Sequence, residues 1–444
     1  MSSATVQLKR SLGLWDAVFI GIIMVQPTAP MPIFGGVSNL AKGHVVTTIL
    51  IAMCAMLLTA ASYGRMARAY PGAGSVYTYV GREIHPALGF LTGWAMLLDY
   101  VVNPLICTIW CAKAAMNVFP WIPYALWALF FAGLFTLLNL RKIQATARTN
   151  EALTAAMSVV IVWMLVATVR FVLNQPHLDA SYFLRPFYDP KTFSVSAVST
   201  GTSLAVLTFI GFDGISTLSE EVKNPRRNIL LATVLVVLIV GALSAVEVYA
   251  AQLVWPHGEA FPDADTAYVH VAGRAGGVFL FQLVNLTLIV ANIGSGSGAQ
   301  LAGARLLYGM GRDGALPKAF FGYVDPKTRI PRNSVLAVGA VALAGAFLIS
   351  FEMGAELLNF GAFIGFMGVN VAAFLRYWVR GERRRMRHLL PPLAGFAICF
   401  YMWICLPAAA QIAGGIWLLA GLLYGAYKTK GFRENLVKFD VPGE

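Results

Sequence analysis

Apolar stretches long enough to cross a bilayer recur along this chain, and two of them are interrupted in the middle. A helix rises about 1.5 Å per residue, so about 20 apolar residues span the hydrocarbon. Such stretches lie at about 12–39, 44–66, 86–113, 120–140, 149–174, 195–218, 227–255, 276–308, 333–351, 354–379, 390–410 and 412–428. The first contains Gln26-Pro27-Thr28-Ala29-Pro30-Met31-Pro32-Ile33-Phe34-Gly35-Gly36. The sixth contains Phe209-Ile210-Gly211-Phe212-Asp213-Gly214 and runs into a polar segment from Ser219 to Arg227. Proline has no N–H for a helical bond. Backbone freed at membrane depth is tolerated only where protein or a water-filled cavity satisfies it. Interrupted spans at corresponding places in two halves of a membrane protein point to the substrate site of a carrier.

Composition and charge agree with a membrane protein. The chain is 58% hydrophobic and 12% charged, against about 25% charged for soluble domains. All but six of the 33 Lys and Arg fall at one set of span ends; Lys42, Lys113, Arg170, Arg185, Lys191 and Arg274 fall at the other. That is a topology bias, with both termini cytoplasmic in an inner membrane; it makes the net charge of +12 no sign of nucleic-acid binding. A polar leader ending in Lys9-Arg10 precedes an apolar stretch too long for a signal h-region. Cys54, Cys107, Cys111, Cys399 and Cys405 lie in apolar stretches without metal spacing and read as free thiols.

Five spans over 12–174 and five over 195–379 make two sets of odd number, so any structural repeat between them is inverted. The two breaks then occupy the first helix of each set, and 390–428 adds two helices. The expected architecture is an all-α integral membrane protein of twelve transmembrane helices, a 5+5 inverted repeat with helices 1 and 6 broken, in one domain over 1–444. Segment 70–85 reads as a connector on the membrane surface.

Specific runs resemble a known family. Ser62-Tyr63-Gly64-Arg65 through Tyr70-Pro71-Gly72-Ala73-Gly74-Ser75-Val76-Tyr77-Thr78-Tyr79 resembles the second-to-third-helix signature of the amino acid–polyamine–organocation superfamily. Gly211-Phe212-Asp213 with Glu220-Glu221-Val222-Lys223-Asn224-Pro225 resembles its sixth-helix signature, and Ala304-Arg305 through Gly311-Arg312-Asp313-Gly314 its eighth-helix exit. Gln26-Pro27, Phe34-Gly35, Gly43-His44-Val45, Leu97-Leu98-Asp99-Tyr100 and Phe320-Phe321-Gly322-Tyr323-Val324 are most similar to bacterial putrescine importers. The resemblance implies alternating access and a substrate site between spans one, three, six, eight and ten. The residues it places there are Gln26, Thr28, Met31, Trp94, Asp99, Tyr100, Phe212, Asp213, Ser295 and Asn359. One departure stands out: those importers carry an acid two positions before the phenylalanine that Phe34 matches, and this chain has Pro32.

The residues themselves indicate what such a site holds. Pro27, Pro30 and Pro32 remove N–H groups from a half-helix end that would otherwise cradle a carboxylate, which favours an amine; a carboxylate kept on Thr28 or Gly35 is the other reading. Intramembrane carboxylates are functional hypotheses by default, and Asp99, Asp213, Glu247 and Glu356 are the ones well inside spans. Asp99 beside Trp94 and Tyr100 suits a cationic amine by charge pairing and cation–π contact, or is a capped structural group. Asp213 holds an amine or a proton, or caps the half-helix. Phe212 fits an occluding gate, and Glu220 with Arg65 or Arg68 an inner gate, unless the polar loop pairs with itself. Glu247, near the outer end of span seven, is either a stand-in acid or a snorkelling one.

Ser295 and Ser297 offer hydroxyls to Na⁺, or serve close helix packing; proton coupling through an acid is the expected mode, with Na⁺ open. The expected activity is import of a small cationic amine of the putrescine kind, the alternative an α-amino acid permease, by a monomer or homodimer. Gly309-Met310-Gly311-Arg312-Asp313-Gly314 fits a dinucleotide pattern, but no strand precedes it. With no nucleophile–base constellation and no zinc-ligand cluster, an enzyme is not expected, nor a cofactor.

Overall fold

A computed structural model describes residues 12–431 except 71–74, 142–146, 177–178, 257, 313, 315, 327, 382–383 and 430. These residues are helical nearly throughout. In order they form α1 (Leu14–Val25), α2 (Phe34–Leu40), α3 (Val45–Ala69), α4 (Ser75–Glu83), α5 (Pro86–Met116), α6 (Tyr124–Leu140), α7 (Ala147–Leu173), α8 (Ala180–Leu184) and α9 (Val195–Ala205). Two 3₁₀ segments follow, Val206–Phe209 and Phe212–Glu220. The remainder is α10 (Pro225–Val254), α11 (Ala267–Arg312), α12 (Lys318–Phe321), α13 (Arg332–Leu348), α14 (Phe351–Phe374), α15 (Met386–Ile404) and α16 (Ala408–Lys428). Among the described residues, eight helical stretches are long and apolar enough to cross a membrane, and α1, α6 and α13 are shorter apolar helices.

Both interruptions read from sequence are present. The first opens between α1 and α2, and the second turns the sixth apolar stretch into α9 and two 3₁₀ segments. Segment 70–85 contains the short α4, as a connector would; 71–74 lie outside the described residues. The helix over the eighth stretch begins earlier than the sequence indicates, at Ala267, but its backbone turns at Gly277 (φ 74°, ψ −171°). The part beyond that turn begins where the apolar stretch does.

α3 lies along α10, and α5 packs between α11 and α14. Apolar side chains of α7 and α11, such as Val162, Val169, Phe279 and Leu286, face outward, as they do where the solvent is lipid. On one face the chain entering α1 is clipped to the chain leaving the second break. Leu12 donates its N–H to the Glu221 carbonyl (3.1 Å) and accepts from the Lys223 N–H (2.7 Å), a parallel backbone bridge centred on Leu12 and Val222.

The two breaks lie against one another. Gly211 sits at φ 109°, and a Cβ there would lie 3.0 Å from the Met24 carbonyl oxygen near the end of α1. A left-handed backbone costs an L-residue about 1–2 kcal/mol, and the approach leaves little room for a side chain. Gly211→Val is therefore expected to lower the melting temperature of the detergent-solubilised protein by several degrees, while Gly133→Ala, with open space at its Cβ, leaves it unchanged.

Candidate functional site

At the first break the three prolines force the chain through successive turns. Ala29 N–H bonds the Gln26 carbonyl (3.2 Å) and Met31 N–H the Thr28 carbonyl (3.1 Å) before α2 begins. Gln26 has φ 71° and ψ 131°, a conformation that costs a non-glycine residue about 1–3 kcal/mol and persists only where surroundings impose it. Its side chain supplies one restraint, donating from Nε2 to the Ala291 carbonyl of α11 (3.2 Å). Thr28 and Met31 are buried, and Gly35 and Gly36 lie in the first turn of α2, where amides have no intrahelical acceptor.

At the second break, Gly211 lets the chain turn so that the Asp213 carboxyl faces the amides of Gly211, Asp213 and Gly214. The Ser216 hydroxyl donates to the Asp213 carbonyl (2.7 Å), tightening the 3₁₀ segment. Phe212 is fully buried, its ring edge-on to Tyr63 of α3 (5.4 Å) and tilted against Phe366 of α14 (5.3 Å). The ring is thus seated among three elements that meet beside the break.

Asp99, buried in α5, lies within electrostatic reach of Asp213, and both act on the hydroxyls of Tyr63 and Tyr100. Among the described residues neither carboxyl has a Lys, Arg or His as electrostatic partner. Two neighbouring buried carboxyls without a cation make a site where a positive group is stabilised and an anion repelled.

Other expected site residues take different positions. Trp94 is turned away from Asp99: its ring stacks on Trp417 of α16 (4.8 Å), and each indole N–H bonds the other residue's carbonyl (2.9 Å). Ser295 reaches Asn103 Oδ1 on α5 (3.4 Å). Asn359 is buried and donates to the carbonyls of Ser203 (2.9 Å) and Leu204 (3.2 Å), steadying the approach to the second break. Arg65 presents a buried Nη1 without a partner among the described residues. The Glu220 side chain lies outside the described residues, so the Glu220–Arg65 pair does too.

Two charged clasps at opposite ends of the molecule are not evident from sequence. At one, Glu83 at the end of α4 is almost fully buried and receives Arg376 Nη1 (2.5 Å), Arg380 Nη1 (2.8 Å) and the Tyr70 hydroxyl (2.5 Å). The Arg376 guanidinium also lies over the Tyr70 ring (4.8 Å). Burial and the bond to Glu83 push the Tyr70 hydroxyl up to about 12, so it donates as a neutral phenol. At the other end, Lys113 of α5 pairs with Asp265 (2.5 Å) and Asp263 (3.4 Å) in the segment before α11. Burial pushes the Asp265 carboxyl up, and the Lys113 ammonium opposes it. A lone glutamate amid Arg65, Arg68 and Arg82 is the sequence signal that could have found the first clasp; its arginine partners lie nearly 300 residues away.

Comparison with known proteins places the chain. The amino acid permease family profile matches residues 12–422. The low-affinity putrescine importer PlaP of Escherichia coli (strain K12) is 34% identical over 448 residues, 99% of this chain and 98% of that protein. The branched-chain amino acid permease BcaP of Lactococcus lactis subsp. cremoris (strain MG1363) is 26% identical, covering 94% of each chain. The methylthioribose transporter of Bacillus subtilis (strain 168) is 25% identical, covering 96% of this chain and 95% of its own. With its membrane-length helices and this match, the chain is a multi-pass membrane protein that belongs to the amino acid permease family.

Proposed function

We propose that this chain is a secondary active transporter that imports a small cationic amine of the putrescine class by alternating access, coupled to protons. The observation that carries this reading is the pair of uncompensated carboxyls, Asp99 and Asp213, among tyrosines beside two helix breaks that touch. An ammonium group there is met by charge and by aromatic faces at low dielectric, where both count for more than in water. The E. coli relative named a putrescine importer supports the same substrate class. In this reading the fold is twelve spans arranged as two inverted sets of five plus two, with both termini cytoplasmic.

The first-turn amides at Gly35 and Gly36 favour the alternative, an α-amino acid whose carboxylate they would bind, and a branched-chain permease is among the relatives. Uptake into proteoliposomes of radiolabelled putrescine, competed by other diamines, monoamines and a panel of amino acids, separates the two. Competition by diamines is the expected result. Competition by neutral amino acids alone assigns the site to an amino acid instead.

A further inference from the structure

Glu247 lies in the outer half of α10 with no solvent exposure, and neither carboxyl oxygen has a hydrogen-bond partner among the described residues. No Lys, Arg or His there comes within electrostatic reach of it. An isolated buried carboxylate costs several kcal/mol or more, so such a group binds a proton or awaits a cation. The Ser244 hydroxyl, three residues earlier and therefore on the same helix face, is likewise buried and unpartnered. Two unsatisfied polar groups on one face of a packed helix are more than a stray acid.

Its cover connects it to the first break. Tyr268 of α11 donates its hydroxyl to the Glu247 main-chain carbonyl (3.4 Å) and is the titratable side chain that faces it. The elements that also pack on α10, namely α1, α3, α7 and the 3₁₀ segments, bring no charged or titratable group within reach of the carboxyl among the described residues. The Tyr268 ring meets Phe34, the first residue of α2, edge-on at 5.7 Å. Gly35 lies so close to the Ala264 carbonyl that a Cβ would collide with it. The half-helix beyond the first break therefore rests on the residue that roofs Glu247.

We propose that Glu247 is the proton-binding site that couples transport, holding its proton sealed from water while α2 rests on Tyr268 and exposed to water when α2 withdraws. Loading forms the carboxyl O–H bond with a proton from the outer solution, and release returns that proton to water on the inner side. The proposal rests on the importer reading and supplies its coupling group.

The test uses purified protein in proteoliposomes with the membrane potential clamped. One proton per substrate under an alkaline-inside gradient of about one pH unit drives about tenfold accumulation. Wild type is expected to show that accumulation of putrescine. Glu247→Gln is expected to lose it while keeping putrescine counterflow, which needs no gradient, and Glu247→Asp is expected to restore it. Gradient-driven accumulation by Glu247→Gln equal to wild type overturns the proposal, as does wild-type accumulation that is the same with and without the gradient while counterflow works. If wild type shows no counterflow, the substrate reading fails instead. The proposal then stands or falls on infrared titration of the protein alone: a carboxylic-acid C=O band that fades as pH rises and is missing from Glu247→Gln supports it, and no such band overturns it. Glu247→Met, apolar and of similar length, carries the same comparison if the glutamine variant does not fold.

Discussion

Asp99→Asn is expected to cut putrescine uptake at low substrate concentration about 100-fold. The amide keeps the shape of the carboxyl but removes the charge from a buried site, and hydrogen bonds to charged groups are worth about 1.5–3 kcal/mol. At about 1.4 kcal/mol per tenfold, the upper part of that range corresponds to a loss of this size. Asp213→Asn is expected to behave differently, because the Asp213 carboxyl already faces three backbone amides of its own break. Its loss falls on the fold of the break as much as on the ligand. Initial rates across substrate concentrations, normalised to protein in the membrane, read out both. An unchanged KM for Asp99→Asn removes that residue from the site.

Glu83→Ala is expected to loosen the junction between α4 and the end of α14. The substitution leaves Arg376 and Arg380 without their shared anion and Tyr70 without its acceptor. Breaking a buried pair costs about 3–5 kcal/mol; here the two arginines are half in solvent, at 37% and 56% side-chain exposure, and water recovers part of it. A cost of about 1.4 kcal/mol raises the open population about tenfold. Amide hydrogen exchange over 75–83 and 375–379 reads that opening directly. Exchange equal to wild type would show that the clasp does not hold this face shut.

What sequence reveals here and what it conceals follow from how local each feature is. The breaks are legible because their cause is local: three prolines in six residues, and a glycine able to take φ 109°. Phe212 and Asp213 are legible for the same reason, being fixed by the turn that Gly211 makes. Trp94 misleads because adjacency in sequence is not adjacency around a helix. Five residues on, Asp99 points about 140° away at 100° per residue, and α16, hundreds of residues later, claims the indole. The Glu83 and Lys113 clasps stay hidden because a charge in a connector looks solvated until its distant partners are placed. That α1 and the second break meet is expected from the resemblance, but the contact of Met24 with Gly211 is beyond a linear reading.

The bridge between Leu12 and Val222 has a consequence for how such a machine varies. Both of its bonds run main chain to main chain, so no side chain at 12, 221, 222 or 223 specifies it, and residue identity there drifts without severing it, proline at 12 or 223 excepted. The leading end of one interrupted helix and the trailing end of the other are thus tied together by main chain alone. That constraint leaves no trace in residue preferences, because its information is carried by chain path alone.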